Sequence, residues 1–489
     1  MQNDEKPGRV VVVGDIVMDY FVAGTASQLD QTAAVPIVKV PADSSWMSPG
    51  GAAFAARNVV AMVTPAALVS AMGTDHASDQ YMGFLSRVES VFGGNYLCKH
   101  YIARVEGYQT PQKYRTYADK RLVARYDVDD PIKVSVEDYI IDMFQRCVAD
   151  EPARVILISD YDKGVCTPRV VETVLKYGVQ NNVPVIVDPV AQHMSWYSGV
   201  HMVLPNTVEV CKATNQPERN VVNATKILQK RLGVKHCVTT CGADGLIVCD
   251  EDQNITRIPA IAVNAVDSCG AGDVVASAAA IGTFAGMSPE LLWKTAIIAG
   301  GLSTQHCGTR AVGMHHVHRH IAGTTPTVKK MPLEYAELLR MSVALAEESV
   351  GVANVVFDIL HAGHLSMLYE AAAQCNFLIV LVNGAASATK CKNRDVTALE
   401  MRCLQLSRVP YVDAIVVFDE DTPEEAIKAL QPDVLIKGPE LEGKEDTIPG
   451  ASFVRQNGGR VHITKLSFDI HSSDIRNAAE EETNDDEKS

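Results

Sequence analysis

Two stretches of this chain hold residue types whose spacing suits chemistry on phosphate: Asp267-Ser268-Cys269-Gly270-Ala271-Gly272-Asp273 and Phe357-Asp358-Ile359-Leu360-His361-Ala362-Gly363-His364. In the first, glycines let the backbone approach a ligand. The small-residue run after them predicts a helix whose start offers unpaired N–H groups and the positive end of a dipole. Asp273 at that start is placed to take the proton of an attacking hydroxyl, so base and anion site share one turn. A glycine turn capped by aspartate is the alternative reading. In the second stretch, His361 and His364 fall on one face of a helix start. There they can donate hydrogen bonds to a phosphate as charge builds during in-line displacement, with no protein nucleophile required. A metal pair, or capping and core histidines, are the competing readings.

Further along, Lys392, Arg402 and Lys437 supply dispersed positive charge, and Ser472-Ser473 opens a last helix where hydroxyls and N–H groups can hold a phosphate. The histidines at 315, 316, 318 and 320 read as a solvated loop rather than a metal site. No residue is expected to bind a metal directly.

These places need strands and helices to position them. Short β-branched runs at 10–13, 155–158, 183–187, 201–204 and 236–240 alternate with helical patterns, which predicts an α/β fold with a largely parallel sheet. The rhythm breaks at 313–330, where His, Gly, Thr and Pro cluster, so this stretch reads as a domain end and linker. A helix follows at 332–348. A second series then begins at 352, with a strand at 354–358, a helix at 365–374 and a strand at 377–382, which is one βαβ unit of a new sheet.

The bulk properties agree with two domains. At 489 residues the chain exceeds the length at which one core usually stops growing, and 47% hydrophobic with 21% charged residues is ordinary for a globular protein. A net charge of -15 argues against nucleic-acid binding, because a phosphate-binding surface needs a positive field. Part of the acidity lies in the polar tail 479–489, which reads as disordered. The twelve cysteines include no C-x-x-C pair and read as reduced thiols. With no signal core and no apolar run of membrane length, the expected location is the cytoplasm, away from any membrane.

The first heptapeptide resembles the D-T-x-G-A-G-D motif of the ribokinase-like carbohydrate kinases, with Ser268 in place of Thr. Gly14-Asp15, Asp19, Gly50-Gly51, Asn58, Asn206-x-x-Glu209 and Thr240-x-Gly242-x-x-Gly245 follow the same family's order. The resemblance implies a kinase domain with a β lid, Asp273 as base, and Gly270, Ala271 and Gly272 as the anion hole. It further implies that Asp19, Gly50, Gly51 and Asn58 serve the sugar, Asn206 and Glu209 organise magnesium and phosphate, and Thr240, Gly242 and Gly245 form the nucleotide loop. Asp160-Tyr161-Asp162-Lys163-Gly164 resembles D-Y-x-K-G of the heptose 7-phosphate kinase domain in bifunctional heptose enzymes, as does the stretch holding Lys113 and Arg115. By that resemblance Asp160, Lys163, Lys113 and Arg115 serve a substrate that already carries a phosphate. One departure is Phe54, where that domain's G-G-A-A-N has its Asn, and it leaves the sugar's identity open.

The second stretch completes the F-D-x-L-H-x-G-H pattern of the H-x-G-H nucleotidyltransferases. With Glu400-Met401-Arg402, D-E-D-T-P at 419–423 and Q-P-D-V-L-I-K-G at 431–438, it resembles the heptose 1-phosphate adenylyltransferase domain. This implies an ATP site built from Phe357, Asp358, Lys392, Arg402, Lys437, Ser472 and Ser473, with His361 and His364 acting on the phosphates. Departures are Val355, where Gly usually precedes F-D, and Asp395, where Pro commonly follows Arg394. The expected organisation is a kinase domain at 1–320, a linker and connecting helix at 321–350, a Rossmann-like nucleotidyltransferase at 351–478, and the tail. The expected activity is nucleotide-sugar synthesis from ATP, magnesium and phosphorylated sugars, by a homo-oligomer such as a dimer. Two alternatives stay open: another sugar kinase joined to a cytidylyltransferase, or one half surviving as a ligand-binding module.

Overall fold

The computed structural model describes residues 8–92, 97–119, 121–129, 134–261, 263–324, 329–346, 348–354, 356–392 and 396–465. The expectations for Ser472, Ser473, Val355, Asp395 and the acidic tail lie outside these residues. The chain divides into two compact units, Met1–Val312 and Gly313–Ser489.

In the first unit the run Arg9–Gly14 is buried along its whole length, as a strand covered on both faces must be. It pairs in parallel with Ala66–Met72 on one side and Ala153–Ser159 on the other. Among the described residues the sheet has nine strands. From one edge they are Ile255–Ile258, Leu246–Cys249, His236–Thr240, Met202–Val203, Val185–Asp188, Ala153–Ser159, Arg9–Gly14, Ala66–Met72 and Cys98–Arg104. Strand order therefore reverses at Arg9–Gly14, and a ligand crevice is expected beyond the carboxyl ends of that strand and its neighbours. Val11, Ile156, Val187 and Val203 point into one apolar cluster with the helices that cover this face.

A second sheet forms the expected lid. Ile16–Leu29 pairs in parallel with Gln112–Ala118 and antiparallel with Pro36–Lys39 and Ser45–Gly51, and Arg121–Val128 closes the far side. The register sets Asp19 beside Lys113 and Phe21 beside Arg115. Because side chains alternate across a strand, Lys113, Arg115 and Tyr117 share one face.

The second unit is built on six parallel strands among the described residues, ordered Lys330–Met331, Ala414–Phe418, Phe377–Asn383, Val350–Asn354, Val434–Lys437 and Arg460–Ile463. Here the order reverses at Val350–Asn354. The segment expected as a linker and connecting helix at 321–350 belongs to this unit. Lys330–Met331 extends its sheet, and the helix Leu333–Leu345 buries Ala336, Leu339 and Val343 against Val352, Phe377 and Ile379. The histidine run is likewise not a solvated loop: it forms the helix Met314–Thr324, and His315 is buried, bonded through Nδ1 to Ser342 at 3.0 Å and through Nε2 to Glu348 at 2.9 Å. The unit boundary accordingly falls at 312/313 rather than at 320. The strand expected at 354–358 ends earlier, at Asn354, and the helix expected from 365 starts at Ala362. Among the described residues no helix is long and apolar enough to cross a membrane. All twelve cysteines are free thiols.

Candidate functional site

The first junction lies where the loop 267–270 feeds the helix Ala271–Phe284. Gly270 adopts φ 75°, and a Cβ there would meet the Phe54 ring at 2.6 Å, so conformation and space both demand glycine. Asp267 fixes the loop by accepting from Cys269 N–H and Gly308 N–H, each at 3.0 Å, and from the Tyr117 hydroxyl of the lid at 2.5 Å. Asp273, in the first helical turn, is 4% exposed. Burial pushes its carboxyl well above the usual carboxylate range, while the Tyr161 hydroxyl and the Lys113 ammonium draw it back.

Around it the sequence-derived residues divide into those that face the crevice and those that hold its walls. Asp19 pairs with Arg115 at 2.5 Å, and Gly50 leaves room for that carboxylate, since a Cβ would meet Asp19 Oδ2 at 2.1 Å. Gly51 turns at φ 59°, and a Cβ on it would strike the Asp15 carbonyl at 2.3 Å. Lys113 Nζ lies over the Tyr161 ring, 4.6 Å from its centroid. Lys163 pairs with Asp129.

Two expectations are corrected. Asn58 is fully buried: its Nδ2 donates to the Phe54 carbonyl at 2.9 Å and its Oδ1 accepts from Val312 N–H at 3.0 Å, so it fastens a helix and does not meet the sugar. Asp160 is occupied by Tyr197 at 2.6 Å, His193 at 2.8 Å and its own loop's Asp162 N–H at 2.9 Å, which makes it a loop anchor. Asn206 and Glu209 form a reciprocal capping box at 2.9 and 2.8 Å, the helix-cap role that this spacing also permits. Thr240 ends its strand beside Asn206, and Gly242 and Gly245 make the following turn at φ 57° and 87°.

Sequence reasoning gave no role to three residues here. Asp15 ends the central strand and accepts from the N–H groups of Tyr161 at 2.9 Å, Lys163 at 3.2 Å and Val165 at 2.9 Å, folding that loop over the crevice. Burial, and then Asp160, pushes its carboxyl up to about 6. Tyr161 itself reaches Asp273. Asp188 ends the strand Val185–Asp188, with its carboxyl held far above the ordinary range by burial and by Asp273, Glu209 and Asp160. The signal for Asp15 and Asp188 was present: each is a carboxylate closing a buried β-branched run.

The second junction follows Val350–Asn354. Phe357 sits in the left-handed region at φ 54°, buried, with its ring 5.2 Å from that of His364. His361 is the N-cap of the helix Ala362–Ala372, and the His361 and His364 rings stack 3.8 Å apart at 25°. His364 Nδ1 lies 3.1 Å from the Ile359 carbonyl, an acceptor, so Nδ1 carries a hydrogen.

Arg402 and Asp358 are corrected from phosphate contacts to loop clamps. Arg402 is 1% exposed and donates to the carbonyls of Thr397 at 2.9 Å, Val356 at 3.0 Å and Asn383 at 2.9 Å. Asp358 accepts from Thr397 N–H at 2.8 Å and its hydroxyl at 3.2 Å. Lys437 is also inside, donating to Asn354 Oδ1 at 3.0 Å, and burial lowers its pKa to about 8. Lys392 is exposed in the last turn of Ala385–Lys392.

His315, His316 and Glu348 lie close enough together to suggest a metal site. The hydrogen bonding opposes it: Gly313 N–H donates to His316 Nδ1 at 3.1 Å, so Nε2 carries the proton and donates to Glu348 at 3.2 Å instead of offering a lone pair.

With this geometry in view, known proteins match parts of both units. Residues 145–316 match the pfkB family of carbohydrate kinases, and 352–478 match the cytidylyltransferase-like family. The "Bifunctional protein HldE" of Rhodospirillum rubrum is 31% identical over 468 residues, covering 94% of this chain and 92% of that one. The protein of the same name from Caulobacter vibrioides is 31% identical, covering 94% of each chain. Among solved structures, phosphofructokinase-2 from Escherichia coli in complex with substrates and products shares the fold of the first unit. Its TM-score is 0.52 at 17% identity, over 64% of this chain and 97% of that one.

Proposed function

As a member of the bifunctional HldE family, the chain is a sugar kinase and a nucleotidyltransferase in one polypeptide, and we propose that its sugar is a heptose. In this reading the first half phosphorylates heptose 7-phosphate at the anomeric hydroxyl. A separate phosphatase removes the 7-phosphate, and the second half transfers adenylyl from ATP to heptose 1-phosphate, releasing pyrophosphate. The observation that carries the reading is that each half aims a helix start at the crossover of its sheet, one with a carboxylate base in its first turn and the other with paired imidazoles.

In the kinase step the anomeric hydroxyl gives its proton to Asp273 as its oxygen attacks the γ-phosphorus and ADP leaves. The N–H groups of Gly270, Ala271 and Gly272 meet the charge on the phosphoryl oxygens. Asp19, held by Arg115, orients the sugar hydroxyls, and Lys113 with Arg115 favours a phosphorylated sugar. Asn206 and Glu209, whose side-chain oxygens stand at the start of the helix Thr207–Thr214, would organise the magnesium of Mg-ATP. When bound, that ion neutralises charge on the phosphates. In the adenylyl step an oxygen of the sugar phosphate attacks the α-phosphorus and pyrophosphate leaves. His361 and His364 donate to the charge that develops, Lys392 supports the phosphates, and Phe357, Asp358, Arg402 and Lys437 hold the loops that carry them.

The organisation we favour is a kinase unit ending near 312, a nucleotidyltransferase unit from 313, and an acidic tail. Twelve free thiols and the need for ATP support work in the cytoplasm. Exposed Leu29, Ile37 and Leu122 on the lid support a dimer. The test is a panel of heptose, hexose and pentose phosphates with ATP, followed by pyrophosphate release from ATP against CTP. ADP formation specific to heptose 7-phosphate and a preference for ATP are expected; indifference to the heptose, or a preference for CTP, would replace the substrates, and no turnover in either assay would overturn the reading.

A further inference from the structure

The Tyr161 hydroxyl is bonded to both oxygens of the Asp273 carboxylate, at 2.9 and 2.8 Å. A single donor shared between two oxygens lies near the bisector of the carboxylate, so it fixes the plane of the group as well as its distance. Tyr161 is itself held at three points. Its N–H is on Asp15 at 2.9 Å, its ring lies beneath Lys113 Nζ at 4.6 Å, and its hydroxyl is on Asp273. Lid, central strand and anion helix thus converge on one side chain.

From this geometry we infer that Tyr161 is the positioning residue of the kinase half: its hydroxyl keeps the Asp273 carboxylate ionised and oriented to receive the sugar's proton. The inference rests on Asp273 being the base. The groups facing Asp273 act in opposite senses. Tyr161 from the 160–165 loop and Lys113 from the lid favour the ionised form. Asp19 from the lid, Asp188 from the central sheet and Cys269 from the base's own loop are like-charged or charge-averse neighbours. With burial already working against ionisation, the hydroxyl is the strongest influence that favours it. Burial also pushes the Tyr161 phenol well above its ordinary value, so it remains a donor throughout the working pH range and takes no proton itself.

A hydrogen bond to the charged form lowers an acid's pKa, so removing the hydroxyl raises that of Asp273, and kinase activity then needs a higher pH. On the full chain, Tyr161→Phe is expected to move the acid limb of kinase kcat/KM upward by roughly 0.5–1 pH unit. That corresponds to about a 3–10-fold loss below the limb and recovery on the plateau. Adenylyl transfer by the same preparation and the KM for ATP in the kinase step are expected to stay as in the parent.

Replacing Tyr161 with 3-fluorotyrosine, a stronger donor of the same shape, is expected to move the limb the other way, and it decides the matter if the Phe variant folds poorly. A uniform loss at all pH values with the limb in place in both variants would overturn the inference and leave Tyr161 a packing residue. Failure of the underlying reading looks different: Asp273→Asn would then retain the parent's activity and its acid limb.

Discussion

The two phosphate junctions use charge in opposite ways. At the first, acids crowd the crevice: Asp15, Asp19, Asp188 and Asp273 all have carboxyls pushed upward by burial, and the cations Lys113 and Arg115 are spent on them or on Tyr161. At the second, the loop cations Arg402 and Lys437 are turned inward to carbonyls, and the imidazoles of His361 and His364 stand at the helix start. The difference follows the chemistry. A sugar hydroxyl must lose a proton to attack, so the first site needs a base that is hard to ionise and therefore a willing acceptor. A sugar phosphate already carries its charge, so the second site needs donors and no base.

The comparison can be broken most forcefully at Asp273. Asp273→Asn should cut kinase kcat/KM by about 10²–10⁴-fold, the usual range for a general base, while adenylyl transfer by the same chain is unchanged. Next in size, His361→Ala should lower adenylyl transfer by about 10²–10³-fold, as for loss of one preorganised donor, with kinase turnover intact. Arg402→Met should destabilise the second unit by roughly 2–4 kcal/mol, because it strips a charged donor from three carbonyls, that of Asn383 buried, and calorimetry should show its melting transition falling. Lys392→Met sharpens the contrast between clamp and contact: the transition should hold while the KM for ATP rises. The smallest effect expected is from Asn58→Ala, a loss of about 1–3 kcal/mol in the first unit from the unmet Val312 N–H, with the KM for sugar unaltered.

Both junctions were legible from sequence because their chemistry is local. Gly270 and Asp273 lie within one turn, and His361 and His364 lie three residues apart, so spacing alone places them together. The loop anchors were not legible. Asp160, Asn58 and Arg402 have the types expected of ligand contacts, and only the fold reveals that Tyr197, Val312 and Asn383, distant in sequence, have already taken their bonding capacity. Tyr161 was missed for the same reason, since its partner is 112 residues away. The alternating runs gave the α/β architecture and 332–348 read as a helix, but the stretch 313–331 hid the helix Met314–Thr324 and the strand Lys330–Met331. A histidine buried through Ser342 and Glu348 looks, in composition, like a histidine in a loop.

The central claim is that two separate sites, one relying on Asp273 and the other on His361, act in sequence. It is tested most directly by mixing. The Asp273→Asn and His361→Ala chains, each alone and then together, are given heptose 7-phosphate, ATP, magnesium and a phosphatase for the 7-position, and ADP-heptose is measured. The account predicts negligible product from either variant alone and restored product from the mixture. Product from a single variant at the parent's rate, or a mixture as silent as its components, would contradict it.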